Sequence, residues 1–200
     1  IDDIPAKLAG ANHYPEDMTK EEFNAWLTNR SRTQSLSPAE KEKATGYFYA
    51  IRRHATRRLR IVPYSEEYRE FLEPAAKLLR EAAALTTNAT LRDFLNKRAA
   101  AFASNDYYDS DVAWMDLDSP IDVTIGPYET YEDELFGYKA AFEAYVTLRD
   151  DAETEKLRKF SDYMQELENN LPIEPKYRNP KVGASSAMRV VNVVFSSGEG

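Results

Sequence analysis

Residues 99 to 138 contain no lysine or arginine but carry ten acids: Asp106, Asp109, Asp111, Asp116, Asp118, Asp122, Glu129, Glu132, Asp133 and Glu134. Tyr107, Tyr108, Trp114, Tyr128, Tyr131 and Phe136 are interleaved with them. Carboxylates beside aromatic rings can form a cleft wall that attracts a cation such as a peptide ammonium. They can equally form a solvated face, or pair with arginines elsewhere in the same fold. Both readings stay open. A calcium loop is excluded, because Asp109-x-Asp111 and Asp116-x-Asp118 lack the third oxygen ligand and the turn glycine. The opposite charge is concentrated in Arg52, Arg53, Arg57, Arg58 and Arg60, where a solvated hairpin end is a simpler reading than a phosphate site. With no cysteine, thiol catalysis and thiolate metal sites are ruled out. His13 and His54 are the two histidines and form no His-Glu-x-x-His pair, so a closed zinc site within this chain is not expected.

The elements that must position these groups are read from periodicity. Thr19 with Glu22, and Ser37-Pro38-Ala39-Glu40, have the capping-box pattern and predict helices from about 20 to 29 and from 38 to about Gly46. Phe23, Trp26 and Leu27 share one face of the first. Residues 47–53 and 59–64 predict a β-hairpin with the arginines at its exposed face or tip. A helical segment from Ser65 to Leu85 is expected to kink or break at Pro74. Thr87 or Asn88 caps the next helix, whose apolar face is Leu91, Phe94, Leu95, Ala99 and Phe102; an acidic helix continues over 105–114. Ile121–Ile125 alternates as a strand stopped by Gly126-Pro127, and residues 138–148 alternate again. One helix is expected over 152–169, with Leu157, Phe160, Met164 and Leu167 as its buried stripe. Met188–Phe195 reads as a strand inside a sheet. The fold class is α+β, helix-rich, with a small mixed or antiparallel β-sheet or barrel.

The 200 residues (22.9 kDa, 42% apolar, 30% charged, mean hydropathy −0.63) can bury a core, and no 18-residue apolar run exists to span a membrane. A net charge of −8 argues against nucleic acid as a partner. The chain opens on Ile1 without a leader pattern and ends in mid-pattern on Ser197-Gly198-Glu199-Gly200, so it reads as a piece of a longer protein. Cysteine usage does not decide the compartment; the cytoplasm is favoured.

The most specific stretch is Ile121-Asp-Val-Thr-Ile-Gly-Pro-Tyr-Glu-Thr-Tyr-Glu-Asp-Glu-Leu-Phe-Gly137, followed by Tyr138-Lys-Ala-Ala-Phe-Glu-Ala-Tyr-Val146. It resembles the Ile-Gly-x-x-Glu-Ser/Thr-Tyr-x-Asp, Phe-Gly and Phe-Glu-x-Phe/Tyr-Val region of dipeptidyl peptidase III-type zinc metallopeptidases. The bacterial and plant branch, fused in plants to a Nudix hydrolase domain, is more similar still. Residues 14–23, 62–68 and 104–109 also look like that branch, and no Nudix box occurs here. The resemblance implies part of a two-lobed enzyme acting on short peptides. Residues 1–149 would belong to the barrel-containing, substrate-binding lobe. Residues 150–171 would lead into the zinc lobe, and 172–200 would return. Zinc and its ligands would then lie in the remainder of the same polypeptide, leaving this chain inactive in isolation.

Residue by residue, the resemblance implies a substrate-binding set. Asp122 stands where the family has a Glu that binds the substrate's ammonium, as a charge-assisted bond could. Thr124 stands where the family has a Tyr that stabilises the tetrahedral intermediate; losing such a donor costs about 10²-fold or more in rate. Tyr128 is a candidate replacement donor. Gly126 permits close backbone approach, and Glu129 matches the motif with either a structural or a ligand role. Ser197 and Gly198 resemble the start of a Gly-rich substrate loop, where a peptide could add as a strand. The alternative is a non-catalytic peptide-binding or protein-interaction module on the same scaffold, motivated by Thr124.

Overall fold

The computed structural model describes residues 10–28, 36–161, 163–182 and 189–198. Two small cores organise it. The N-terminal one begins with α1 (Lys20–Thr28) and α2 (Pro38–Ala44). Ser37 and Glu40 form the full capping box on α2. On α1 only half forms: Thr19 accepts the Glu22 N–H at 3.1 Å, while the Glu22 carboxylate takes a two-pronged bond from Arg53 at 2.8 Å. Then β1 (Tyr49–Arg53) and β2 (Leu59–Pro63) pair as the expected antiparallel hairpin, Arg53 opposite Leu59. Phe23, Met18, Tyr14, Ala44 and Ile51 are buried here, with Trp26 and Leu27 packed against them.

The second core is helical. A single turn, α3 (Tyr64–Glu67), precedes α4 (Arg69–Leu85) and α5 (Ala89–Ser104). The break falls at Tyr68, not at Pro74, which lies inside α4. Pro74 is on the exposed side, so the Glu70 carbonyl that loses its partner can bond water instead. Leu72, Ala76, Leu79 and Ala83 of α4 meet Leu91, Phe94, Leu95 and Phe102 of α5. Asn88 caps α5, and Asn105 ends it in a left-handed conformation (φ 63°). The acidic segment therefore starts afresh as α6 (Tyr108–Met115).

The strands β3 (Ile121–Glu129), β4 (Ala141–Arg149) and β5 (Val191–Ser197) form an antiparallel sheet in that order. Gly126-Pro127 does not stop β3. It is an edge strand, where a missing N–H is tolerated, and the irregularity falls after Pro127 instead. Between β4 and β5 run α7 (Asp151–Ser161) and α8 (Met164–Asn169), two helices where one was expected. Of the expected stripe, Leu157 and Met164 are half-buried, Leu167 is 57% exposed, and the Phe160 side chain lies outside the described residues. Among the described residues β5 lies at the edge of the sheet, where an internal strand was expected. Val193, Val194 and Phe195 are exposed, and Met188 lies outside the described residues. The class is α+β with two antiparallel sheets, and no closed barrel forms among the described residues.

Candidate functional site

Strand register separates the three-stranded sheet into two faces. Val123, Ile125 and Phe142 pack on the helical core. The alternate positions pair Asp122 with Thr147, Thr124 with Tyr145 and Gly126 with Glu143, so Asp122, Thr124, Glu143 and Tyr145 share the other face. Asp122 is mostly buried. Its Oδ2 accepts from Arg189 Nη1 at 3.1 Å and its Oδ1 from Trp114 Nε1 at 3.3 Å. The second terminal nitrogen of Arg189 donates to the Leu117 carbonyl. Sequence reasoning singled out Asp122 and Thr124 but missed Glu143, Tyr145 and Arg189. Glu143 and Tyr145 alternate within the 138–148 pattern and are traceable once β3 and β4 are paired. Arg189 carries no local signal.

Gly126 and Tyr128 are brought together by a residue hidden in an apolar stripe. Arg98 sits among the buried positions of α5 with no exposed surface, and its guanidinium lies 5.3–5.5 Å from the rings of Phe94, Tyr107 and Tyr128. It donates to Asp111 Oδ1 at 2.6 Å and to the Tyr128 hydroxyl. Gly126 has φ +155°, and a Cβ there would stand 2.7 Å from Arg98 Nη1. Glycine is required by that approach. Burial pushes the Tyr128 hydroxyl well above its ordinary value, against the pull of Arg98, so it stays protonated. Glu129 is half-buried beyond the irregularity, opposite Ala141.

A second buried polar group had no sequence signal beyond its residue types. The Asp133 carboxylate is fully buried and accepts backbone N–H bonds from Leu135, Phe136, Gly137, Tyr138 and Lys139 at 2.8–3.1 Å, plus the Tyr14 hydroxyl. Burial opposes its ionisation, but these bonds hold it below the ordinary carboxylate value. Lys139, also fully buried, donates to the Ala44 and Gly46 carbonyls at 2.7 and 2.9 Å, pinning the end of α2. Burial lowers its ammonium to about 7, with Asp133 opposing. Burial likewise takes His13 down to about 4; its Nδ1 shares a 3.1 Å hydrogen bond with the Tyr64 hydroxyl.

The core-side face of the sheet bounds two apolar clefts against α4. The larger, about 610 Å³, is lined by Leu78, Leu85, Val123, Ile125, Val146 and Phe195 among others. The smaller, about 310 Å³, reaches Tyr68, Phe71, Phe142 and Ser197. Gly198 (φ +96°) follows, close enough to β4 that a Cβ would stand 2.4 Å from the Phe142 carbonyl oxygen. Ser197 and Gly198 thus reach the sheet that carries Asp122 and Thr124, through the pairing of Ser197 with Ala144.

Residues 13–197 match the profile of Peptidase family M49. The chain belongs to peptidase family M49. The chain is similar to solved dipeptidyl-peptidase III structures from Corallococcus sp. strain EGB (55% identity, TM-score 0.82) and Caldithrix abyssi (49%, TM-score 0.86). Each match covers 99% of this chain and 36% of the other. A curated relative from Arabidopsis thaliana, Nudix hydrolase 3, is 43% identical over 213 aligned positions, covering 96% of this chain and 27% of that protein. The chain therefore spans 27–36% of the length of these relatives.

Among the described residues, no three or more His, Cys, Asp or Glu side chains converge as metal ligands. His13 is enclosed by Tyr64 and Tyr68, and His54 bonds Thr56 in the hairpin turn. The arginine-rich hairpin is largely neutralised: Arg52 pairs with Glu67, Arg53 with Asp17 and Glu22, and Arg57 with Asp17. Its partners come from outside the 99–138 acidic window, whose Asp111, Asp118 and Asp122 instead pair with Arg98, Arg149 and Arg189. No helix among the described residues is long and apolar enough to cross a membrane.

Proposed function

We propose that this chain is the peptide-holding part of a zinc-dependent exopeptidase of the dipeptidyl peptidase III type, acting on short peptides. The carrying observation is the M49 match over 13–197, with 49–55% identity to solved dipeptidyl-peptidase III chains. In this reading 1–149 and 172–200 form the substrate-binding lobe, and 150–171 leads to a second lobe carrying zinc. When bound there, the ion would supply a Lewis acid and an activated water. The residues of this chain bind and orient. Asp122, held by Arg189 and Trp114, stands on β3 where the resemblance puts the amino end of a peptide, and the β5 edge with Ser197 and Gly198 offers backbone groups to an extended chain. Tyr128 is held by Arg98 and Asp111, which makes it a support of β3 more than a replacement for the hydroxyl absent at Thr124.

The test is made on the full-length protein that contains this chain. We expect it to hold about one zinc per molecule and to release dipeptides from the free amino end of short peptides, read by metal analysis and mass spectrometry. A protein that binds no zinc and cleaves no short peptide would overturn the proposal. Peptide binding without zinc or cleavage would instead establish the second reading, a non-catalytic peptide-binding module, which Thr124 motivates.

A further inference from the structure

Helix α4 carries two apolar stripes. One, formed by Leu72, Ala76, Leu79 and Ala83, is buried against α5. The other, Phe71, Ala75, Leu78, Ala82 and Leu85, advances by alternating steps of four and three residues, the spacing of a coiled-coil seam. Phe71, Leu78 and Leu85 are 68%, 63% and 85% exposed. This second stripe runs about 21 Å along the helix, at about 1.5 Å per residue. Packing on α5 uses one face only, so a second apolar face in water marks a contact still to be made.

The stripe is one wall of both apolar clefts, and the inner face of the sheet is the other. Val123, Val146 and Phe195 stand across the larger cleft, Phe142 and Ser197 across the smaller. The two clefts share Ala75, Ile125 and Ala144, so they are one continuous groove. Alanine alternating with leucine or phenylalanine gives the α4 wall hollows between ridges, into which the side chains of a packed segment can insert.

The chemistry of the groove selects its occupant. A soluble small molecule needs a few polar groups to orient it, and no charged side chain is among the described residues lining the larger cleft. A second copy related by a two-fold axis would present the same concave groove, not a ridge to fill it. A segment of the same polypeptide meets neither objection, and the chain itself holds it at high local concentration. This chain covers 36% of each solved dipeptidyl-peptidase III relative, so most of each relative lies outside it. β5 carries Phe195 into the larger cleft and Ser197 into the smaller, so a polypeptide continuing past Gly200 leaves from the groove wall.

We propose that the groove between α4 and the sheet is an internal docking surface, filled by an apolar segment of the polypeptide beyond Gly200. The docked segment ties α4 to β3 and β4. This docking does not depend on the peptidase reading, and a full-length protein without zinc or cleavage would leave it standing.

The experiment uses the full-length protein with Phe71→p-benzoylphenylalanine or Leu85→p-benzoylphenylalanine, one photoreactive side chain at each end of the stripe. Each is irradiated in dilute solution and digested for mass spectrometry. Both positions are expected to cross-link to peptides from beyond residue 200 of the same molecule. Cross-links confined to residues 1–200, cross-links to a second copy, or none from either position would overturn the inference. Thermal unfolding gives a second, independent measurement. Leu78→Gln keeps a good helix former in the middle of the stripe, and should lower the melting temperature of the full-length protein by about 2 °C or more, because a polar group enters a covered apolar surface. A smaller shift would mean that Leu78 faces water, and the docking would fall.

Discussion

At the scale of single residues, Arg98 and the Asp122–Arg189 pair hold the candidate face. Arg98 is packed against three rings, and its ion-pair partner Asp111 is about half exposed, so most of its contribution is packing. Gly126→Ala puts a methyl 2.7 Å from its guanidinium at an unfavourable φ, and should destabilise by about 1–3 kcal/mol, read as a lowered melting temperature of the full-length protein. His13 gives a pH dependence. Its folded value of about 4 lies below the ordinary 6.5, so between those values the unfolded chain takes up a proton that the folded one refuses. Stability from this group is complete above pH 6.5 and is lost as pH falls toward 4, by about 2–3 kcal/mol. His13→Asn should flatten that part of the acid limb in melting curves taken from pH 7 to 4. The residue types alone placed Asp122 and Thr124 on one strand, but not the charge that neutralises Asp122. Arg189 is 67 positions away in the chain, and no local pattern links the two.

At the scale of elements, local rules were legible where the partner of an element did not matter. The Ser37 box, the Asn88 cap and the Leu91–Phe102 face of α5 formed as read, because caps and a single amphipathic stripe are decided within a few residues. The misreadings share a cause, which is that edge and exposed positions tolerate what interior ones do not. Pro74 sits on the outer side of α4, and Pro127 on an edge strand, so neither ends its element. Pro74→Ala restores the N–H that the Glu70 carbonyl lacks, and should raise the melting temperature, with a gain of about 1 kcal/mol or more. A lowered melting temperature would mean that the proline contributes through the unfolded chain instead.

At the scale of the whole molecule, this segment spans about a third of its dipeptidyl-peptidase III relatives and exposes apolar side chains in rows. Phe71, Leu78 and Leu85 repeat every seven residues on α4, and Val193, Val194 and Phe195 lie together on β5. An exposed valine replaced by a charge ordinarily changes stability by less than about 0.5 kcal/mol. If the remainder of the polypeptide covers β5, as the two-lobed reading requires, Val194→Asp in the full-length protein should cost about 2 kcal/mol or more, read by thermal unfolding. An unchanged melting temperature would leave β5 a free edge. The sequence by itself determined the α+β class, the helical core and the family, since caps, periodicity and the Ile121–Val146 motif are properties of neighbouring residues. Only the tertiary structure decided that Arg98 stands behind Gly126 and Tyr128, that Tyr145 faces Thr124, and that Arg189 closes on Asp122. Those contacts join residues far apart in the chain, and strand register and burial, which no short window of sequence contains, bring them together.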